Sequence, residues 1–468
     1  MKRNIKLAYI GGGSKQWARI FMNDLALTDG LSGQVMLYDT DVAAAERNCR
    51  IGTRIAEDPA CVSGFSYSVG ATLEETLRGA DVVVISILPG TFSEMQSDVH
   101  APEAYGIYQT VGDTAGPGGV LRAMRTVPLY EGFARAIERC CPRAWVLNLT
   151  NPMSVCTGAL YAVYPKIKAF GCCHEVFHAQ DFLCAVHHET TGEPLIARQA
   201  LQTEVCGLNH FTWITSARYQ EQDVLSMLPA FMEKYFASGY CASDPADPML
   251  HRKGDYFQCG NRVKMDLFRR FGALGAAGDR HLVEFLDRGW YLSDPEPFAS
   301  WGFYRTPVDF RVKQQRALIE EGEALAWGKK PIALTRSDEE LMRMLMALLG
   351  GEKLLTNVNL PNVGQTPTLP LGTVVETNCL FASDSLCPVA AKPLPAGVDA
   401  LVQRSAHNNN ALLDACLRRD EALAFQVFMN QPLCAGLALA DGERLFAKMC
   451  RDTAAYLTDW KGNWQEEA

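Results

Sequence analysis

The chain has 468 residues, more than one hydrophobic core ordinarily spans, so two interlocked domains are expected, at 1–190 and 191–468. Hydrophobic residues make up 48% and charged residues 21%, the balance of a soluble globular protein, and no apolar run reaches the roughly 18 residues of a membrane helix. A formal net charge of −9 argues against nucleic acid or an anionic membrane surface as the main partner.

The opening MKRNIKLAYIGGGS sets basic residues before apolar ones, as a secretory leader does. Its apolar part, 5–10, is too short for a leader and runs straight into glycines, so it reads as a first β-strand and the protein as cytoplasmic. The 16 cysteines fit that location. They are scattered, and the neighbours Cys140 and Cys141, like Cys172 and Cys173, are poorly placed to bridge. They read as reduced thiols, mostly buried, with one available as a metal ligand.

Short apolar strands are expected at 6–10, 34–38, 82–88, 145–149 and 167–171, with helices at 16–27, 42–56 and 129–139 between them. That alternation implies an α/β fold with a doubly wound parallel sheet. After about residue 189 the pattern changes. A strand is expected at 205–219, a helix at 224–237, a loop rich in Asp, Pro and Gly at 243–255, and helices at 262–271 and 307–328. The stretch 354–375, rich in Asn, Pro and Gly, reads as extended segments crossing a cleft, and the last 70 residues read as helices. No repeat or flexible linker separates the halves, so they should share an extensive interface.

The first strand ends in Gly11-Gly12-Gly13-Ser14, and a helix follows. Glycines let a backbone approach a pyrophosphate, and a helix N-terminus supplies free N–H donors. The second strand ends in Asp39, which can accept hydrogen bonds from ribose hydroxyls and would repel a 2′-phosphate, favouring NAD over NADP. Gln16 stands where the usual third glycine would be. An ordinary dehydrogenase would satisfy all of this.

Three further segments are dense in polar groups. They are the loop Thr110-Val-Gly-Asp113-Thr-Ala-Gly116-Pro-Gly118-Gly119 with Arg122 and Arg125 beyond it, then Asn148-Leu-Thr-Asn151-Pro152, then Gly171-Cys172-Cys173-His174-Glu175. The last two close predicted parallel strands and should face the cofactor crevice. Gly207-Leu-Asn209-His210 opens the second domain. A thiolate and a neutral imidazole could hold a divalent ion with open positions. Cys173 and His210 form no local motif, however, and each reads equally as an ordinary core residue.

Taken in order, GGGS, VGDTAGPGG, LNLTNPMS, GCCHEVF, GLNHFTW and AAGDRHLVEF resemble glycoside hydrolase family 4 over essentially the whole chain. The tetrapeptide Cys173-His174-Glu175-Val176 is similar to the marker of members acting on unphosphorylated α-glycosides. The stretches ISILPG, GIYQ and TNVNLPN are similar to members acting on α-galacturonides. The resemblance implies a lactate/malate dehydrogenase-like NAD domain joined to an α/β and helical second domain, in a homo-dimer or homo-tetramer. It implies NAD, with Asn148 among its contacts, and a divalent ion, usually manganese, held by Cys173 and His210. It makes Asn151 a substrate contact near the metal. Asp113, with Arg122, is expected to line the cofactor or sugar pocket as a further contact, and the planar fork of Arg280 suits the uronate carboxylate, with an exposed surface arginine as the even alternative. The resemblance makes His174 the proton donor and Asp279 the base.

The chemistry so implied departs from the two-carboxylate scheme of most glycosidases. The sugar is oxidised at C3 by NAD, deprotonated at C2, loses its leaving group by elimination, takes up water and is reduced again. Net redox is zero. Other readings stand beside this one. His174 can equally bond the backbone at the strand end, and Asp279 can cap a following helix. Glu175 reads as structural. An α-glucosidase or α-glucuronidase of the same family, a plain hydroxyacid or polyol dehydrogenase, and a non-catalytic nucleotide sensor are the alternatives.

Overall fold

The computed structural model describes residues 3–242 and 256–462, so the loop expected at 243–255 lies outside the described residues. Six strands run parallel: β1 (Arg3–Ile10), β2 (Leu31–Tyr38), β3 (Gly64–Val69), β4 (Val82–Ile85), β5 (Trp145–Asn148) and β6 (Lys168–Gly171). Their order across the sheet is β3-β2-β1-β4-β5-β6. This is the expected doubly wound arrangement, with its ligand crevice at the carboxyl ends where the order reverses between β1 and β4.

The apolar runs in β1 and β4 follow from burial on both faces. Ala8 and Ile10 of β1, with Val83 and Ile85 of β4, join one core. Leu7 and Tyr9, with Val82 and Val84, join the other. The first core is covered by the helices Gly116–Cys140 and Met153–Val163 and, from the far end of the chain, by Ala396–Arg418. The second is covered by Trp17–Ala26 and by Leu341–Leu348. Both halves of the sequence therefore build each core.

The remaining strands are β7 (Gln202–Leu208), β8 (Phe211–Tyr219), β9 (Gln222–Asp223), β10 (Leu274–Gly275), β11 (Leu354–Pro361), β12 (Val374–Ala382) and β13 (Ser385–Pro388). They continue the same sheet. β11 joins β6 through one antiparallel pair, Asn359 opposite Gly171, and β12, β7, β8 and β10 follow outward. The Asn- and Pro-rich stretch is thus a strand and a loop that close on the end of β6. Among the described residues no helix is long and apolar enough to cross a membrane.

Two expected elements are corrected. The strand expected over 205–219 is a hairpin, β7 and β8, turning at Asn209-His210 with Leu208 opposite Phe211. The helix expected from 129 begins at Gly116. Its first turn reads as loop because of its glycines, which packing requires. A Cβ on Gly118 would lie 2.7 Å from the Asp98 carbonyl oxygen, and one on Gly119 would lie 2.5 Å from the Thr114 carbonyl carbon. The loop before the helix lies directly on its N-terminal turn. Arg125, one of the two arginines beyond this loop, is spent on a buried bidentate pair with Asp98. Such a pair strongly penalises loss of either partner, by about 3–5 kcal/mol.

Candidate active site

The carboxyl ends of β1 and β2 hold the nucleotide-type elements. The N–H groups of Gly11 and Gly12 both donate to the Tyr38 carbonyl, each at 2.9 Å. Gly11 has φ +90°, and a Cβ there would strike the Ser86 carbonyl oxygen at 1.9 Å, so only glycine fits the turn. Asp39 accepts from the Gly13 N–H at 2.8 Å and the Asp41 N–H at 2.9 Å. Asn48 donates to the carbonyls of Gly12 and Ser14. Ser14 Oγ accepts from the Trp17 N–H at 3.1 Å, where the next helix begins. This turn brings together Gly11, Gly12, Gly13, Ser14 and Asp39, and it suits a pyrophosphate and a ribose.

Asn148, expected to touch the cofactor, is occupied elsewhere. Its Oδ1 accepts from Tyr130 Oη at 2.6 Å and the Thr150 N–H at 2.9 Å, and its Nδ2 donates to Thr157 Oγ1 at 3.1 Å. It is fully buried and anchors the turn that carries Asn151.

A second group gathers beyond β5 and β6. Asp113, His210 and His281 place ligand atoms within 4.8 Å of one another. His210 Nδ1 lies 3.0 Å from Thr114 Oγ1 and 4.0 Å from Asp113 Oδ1, and its ring centroid is 4.2 Å from that of His281. His210 sits at the hairpin turn with φ +64°, a conformation rare outside glycine and frequent where a side chain must be aimed. Burial, then the neighbouring His281, pushes its pKa down to about 3, so the ring is neutral. Burial opposes the charge on Asp113, but His210, Arg122 and His281 hold its carboxyl below the usual range. Two imidazoles and a carboxylate are a donor set suited to a divalent first-row ion.

Cys173 lies one residue from this set through Asn209. Burial pushes its thiol well up, as do Glu376 and Glu175, while the Asn209 amide acts the other way. Of the expected pair of metal ligands, His210 stands in this group, beside Asp113 and His281, and Cys173 stands outside it. The stretch AAGDRHLVEF that contains His281 carries no local sign of a role for that histidine.

Around these groups are buried amides with unused capacity. Among the described residues Asn209 Oδ1 and Nδ2 and Asn151 Oδ1 make no hydrogen bond. Asn151 Nδ2 donates to Asp113 Oδ2 at 3.3 Å, and its carbonyl accepts from Arg122 Nε at 3.2 Å. Buried amides left unpaired cost about 1–3 kcal/mol each, so these groups have capacity to meet hydroxyls or water.

His174 stacks on Trp17 at 5.5 Å between the two groups. Its Nδ1 is 3.3 Å from Glu339 and its Nε2 3.7 Å from Glu175. Burial disfavours its charge, yet Glu339 and Glu175 outweigh burial and raise its pKa above the ordinary histidine value. Glu175 ties this helix start to the turn at 278–281, accepting from the Gly278 N–H at 2.6 Å and lying 3.4 Å from His281 Nε2. Its expected structural role agrees with those contacts. Glu284 has a similar task that the sequence did not reveal. Its carboxylate accepts the N–H groups of Thr110, Val111 and Gly112, holding the loop that presents Asp113.

Asp279 is buried, and it caps a helix, though not the following one. Its oxygens accept the Val263 N–H at 3.0 Å and the Lys264 N–H at 3.1 Å, at the start of the preceding helix Arg262–Phe271. Burial raises its pKa, against the pull of Lys264. Arg280 donates from Nη1 to Thr306 Oγ1 at 2.9 Å and lies over the Phe257 ring at 4.6 Å.

Comparison with known proteins gives matches over both halves of the chain. The profile described as "Family 4 glycosyl hydrolase" matches residues 6–189, and that described as "Family 4 glycosyl hydrolase C-terminal domain" matches residues 205–434. An alpha-galacturonidase of Thermoanaerobacterium saccharolyticum is 46% identical over 458 residues, 98% of this chain and 97% of that protein. The crystal structure of the Bacillus subtilis protein lplD superposes with a TM-score of 0.88 at 44% identity, covering 96% of this chain and 100% of that one. A 6-phospho-alpha-glucosidase from gut microorganisms, solved in complex with NAD and Mn2+, shares the fold at 17% identity, with a TM-score of 0.78 and coverage of 97% and 99%.

Proposed function

This chain belongs to glycosyl hydrolase family 4, and from that premise we propose that it hydrolyses α-linked galacturonides with NAD and a divalent ion, manganese foremost. The carrying observation is that the glycine turn, the Asp113–His210–His281 group and the unpaired amides share one crevice end of the sheet. The division at 1–190 and 191–468 then sets a nucleotide half, which also carries Asp113, Asn151 and His174, against a half that adds Asn209, His210, Asp279 and His281 to the same site. Gly11, Gly12, Gly13, Ser14 and Asp39 would cradle the dinucleotide. His210 and Cys173, with Asp113 and His281, would hold the ion. When bound, NAD supplies a reversible hydride acceptor for C3 of the sugar, and the ion supplies a Lewis acid that acidifies the C2 proton.

The chain's own residues do the rest. Asn151 and Asn209 orient the hydroxyls. Asp279 accepts the C2 proton, a task supported by its burial, its raised pKa and its place on the turn of His281. His174, kept protonated by Glu339 and Glu175, donates to the departing glycosidic oxygen. The free cysteines and the negative charge fit a cytoplasmic homo-dimer or homo-tetramer with neither nucleic acid nor membrane as partner.

The test is a panel of p-nitrophenyl α-galacturonide, α-glucuronide, α-glucoside and α-galactoside with NAD, Mn²⁺ and a reductant. Release of nitrophenol from the galacturonide with catalytic NAD and no build-up of NADH is expected. Steady NADH production would instead identify a dehydrogenase, and cleavage of neutral hexosides alone would refute the uronide assignment.

Two variants probe the acid and the base. Asp279→Asn keeps an oxygen for the helix cap, so the fold should survive while kcat falls about 100-fold. Wash-in of deuterium at C2 in D₂O should slow in step, and unchanged exchange would remove Asp279 from the base role. The proton donor must be charged to act, so activity falls as pH rises through the His174 pKa, which lies above 6.5. Glu339→Gln removes one of the two carboxylates holding that proton, and the alkaline limb of kcat/KM should move to lower pH. A limb that stays in place would separate it from His174.

A further inference from the structure

The metal-side wall of the crevice is stitched from three segments. The Thr306 N–H donates to the Thr110 carbonyl at 3.2 Å, Arg280 Nη1 donates to Thr306 Oγ1, and Glu284 accepts the backbone N–H groups of residues 110–112. The helix Val308–Ala326 starts from this wall, and Arg311 stands in its first turn. Its guanidinium makes no hydrogen bond or ion pair among the described residues, and its Nε is wholly buried without a partner.

Among the described residues the surroundings do not compensate it. Arg280 and Arg122 add positive charge nearby. Of the two carboxylates within electrostatic reach, Glu284 is committed to backbone N–H groups, and Asp113 is committed to Thr114 Oγ1, Asn151 and the two histidines. Burial, with Arg280 and Arg122, lowers the Arg311 pKa to about 10, still far above neutrality, so the charge remains. A half-buried guanidinium that stays charged, with its Nε sealed off and no ion pair among the described residues, is costly. Its planar fork matches a carboxylate, and the neutral CH₂OH of a hexose offers it no charge.

We propose that Arg311, with Arg280 beside it, reads the C6 carboxylate of the sugar being cleaved and so sets the preference for uronides. This rests on the galacturonidase reading above and replaces Arg280 alone as the carboxylate partner, since Arg280 already spends a donor on Thr306.

The test compares p-nitrophenyl α-galacturonide with its methyl ester and with the α-galactoside, on full-length protein with NAD and Mn²⁺. The aglycone carries no carboxylate, so any effect belongs to the cleaved residue and not to a neighbouring uronate of a longer substrate. Arg311→Gln should lower kcat/KM on the acid about 100-fold, mostly through KM, and change the ester and galactoside only a few-fold. Arg311→Lys keeps the charge without the fork and should recover part of the loss. An acid-to-ester ratio equal to that of the wild type in both variants would overturn the proposal. Should Arg311→Gln fail to fold, the ratio in Arg311→Lys decides alone, with at least a several-fold drop expected. Wild-type protein inactive on the galacturonide would refute the functional reading and this inference together. Wild-type cleavage with unaltered selectivity in the variants would refute this inference only.

Discussion

Replacing His210 with alanine should lower kcat/KM on p-nitrophenyl α-galacturonide about a thousandfold while leaving NAD titration by protein fluorescence unchanged. His210 is the central member of the Asp113–His210–His281 group, and its ring is already neutral, the form that binds a metal. Lewis-acid assistance contributes several kcal/mol to such reactions, and each 1.36 kcal/mol is tenfold in rate, so losing a ligand at this position costs on the order of 10³. The glycine turn lies at the ends of β1 and β2 and uses no atom of His210. Atomic absorption on the dialysed variant should show less than one bound Mn per chain. A variant that retains both metal and activity would mean that the ion sits elsewhere.

The second large effect concerns stability. Glu376 lies in β12 with almost no exposure and accepts from Thr212 Oγ1 at 2.6 Å and Asn357 Nδ2 at 2.9 Å. Burial pushes its pKa up to about 7, against those hydrogen bonds. Between its ordinary value of 4.5 and 7 the folded protein holds a proton that the unfolded chain has released. Stability therefore falls as pH rises across that window, and the full penalty of about 3 kcal/mol is present above it. Glu376→Gln removes the penalty and can keep the contacts, because Thr212 Oγ1 also donates to the Leu208 carbonyl and is free to accept from the new amide. Urea denaturation of metal-free protein should show the variant matching wild type near pH 4.5 and exceeding it near pH 8. Parallel curves at both pH values would dismiss the buried carboxyl as the cause.

Much of the first half was legible because its signals are local. β1, β4, β5 and β6 are apolar runs bounded by polar strand ends, and those ends carry Gly11, Asn151 and Cys173. β3 escaped because only Phe65 among its residues is buried, which leaves no run to see. The hairpin at Asn209-His210 escaped because its two strands are apolar next to the turn and neither turn residue is a glycine. The site groups that went unrecognised act over long separations. Glu284 bonds Thr110 across 174 positions, and Thr212 bonds Glu376 across 164. Such partnerships exist only once the sheet has closed. The capping task of Asp279 reaches back 16 positions, whereas a local pattern points forward to the helix it begins.

The seam between β6 and β11 also bears on how this protein can be cut or recombined. A fragment ending after β6 would leave the β6 edge with unpaired peptide groups, and both cores would lose the covers supplied by Leu341–Leu348 and Ala396–Arg418. The nucleotide half is consequently no portable module: expressed alone it should self-associate through that raw edge, and shuffling it onto a foreign partner would demand a matching strand where Asn359 now meets Gly171.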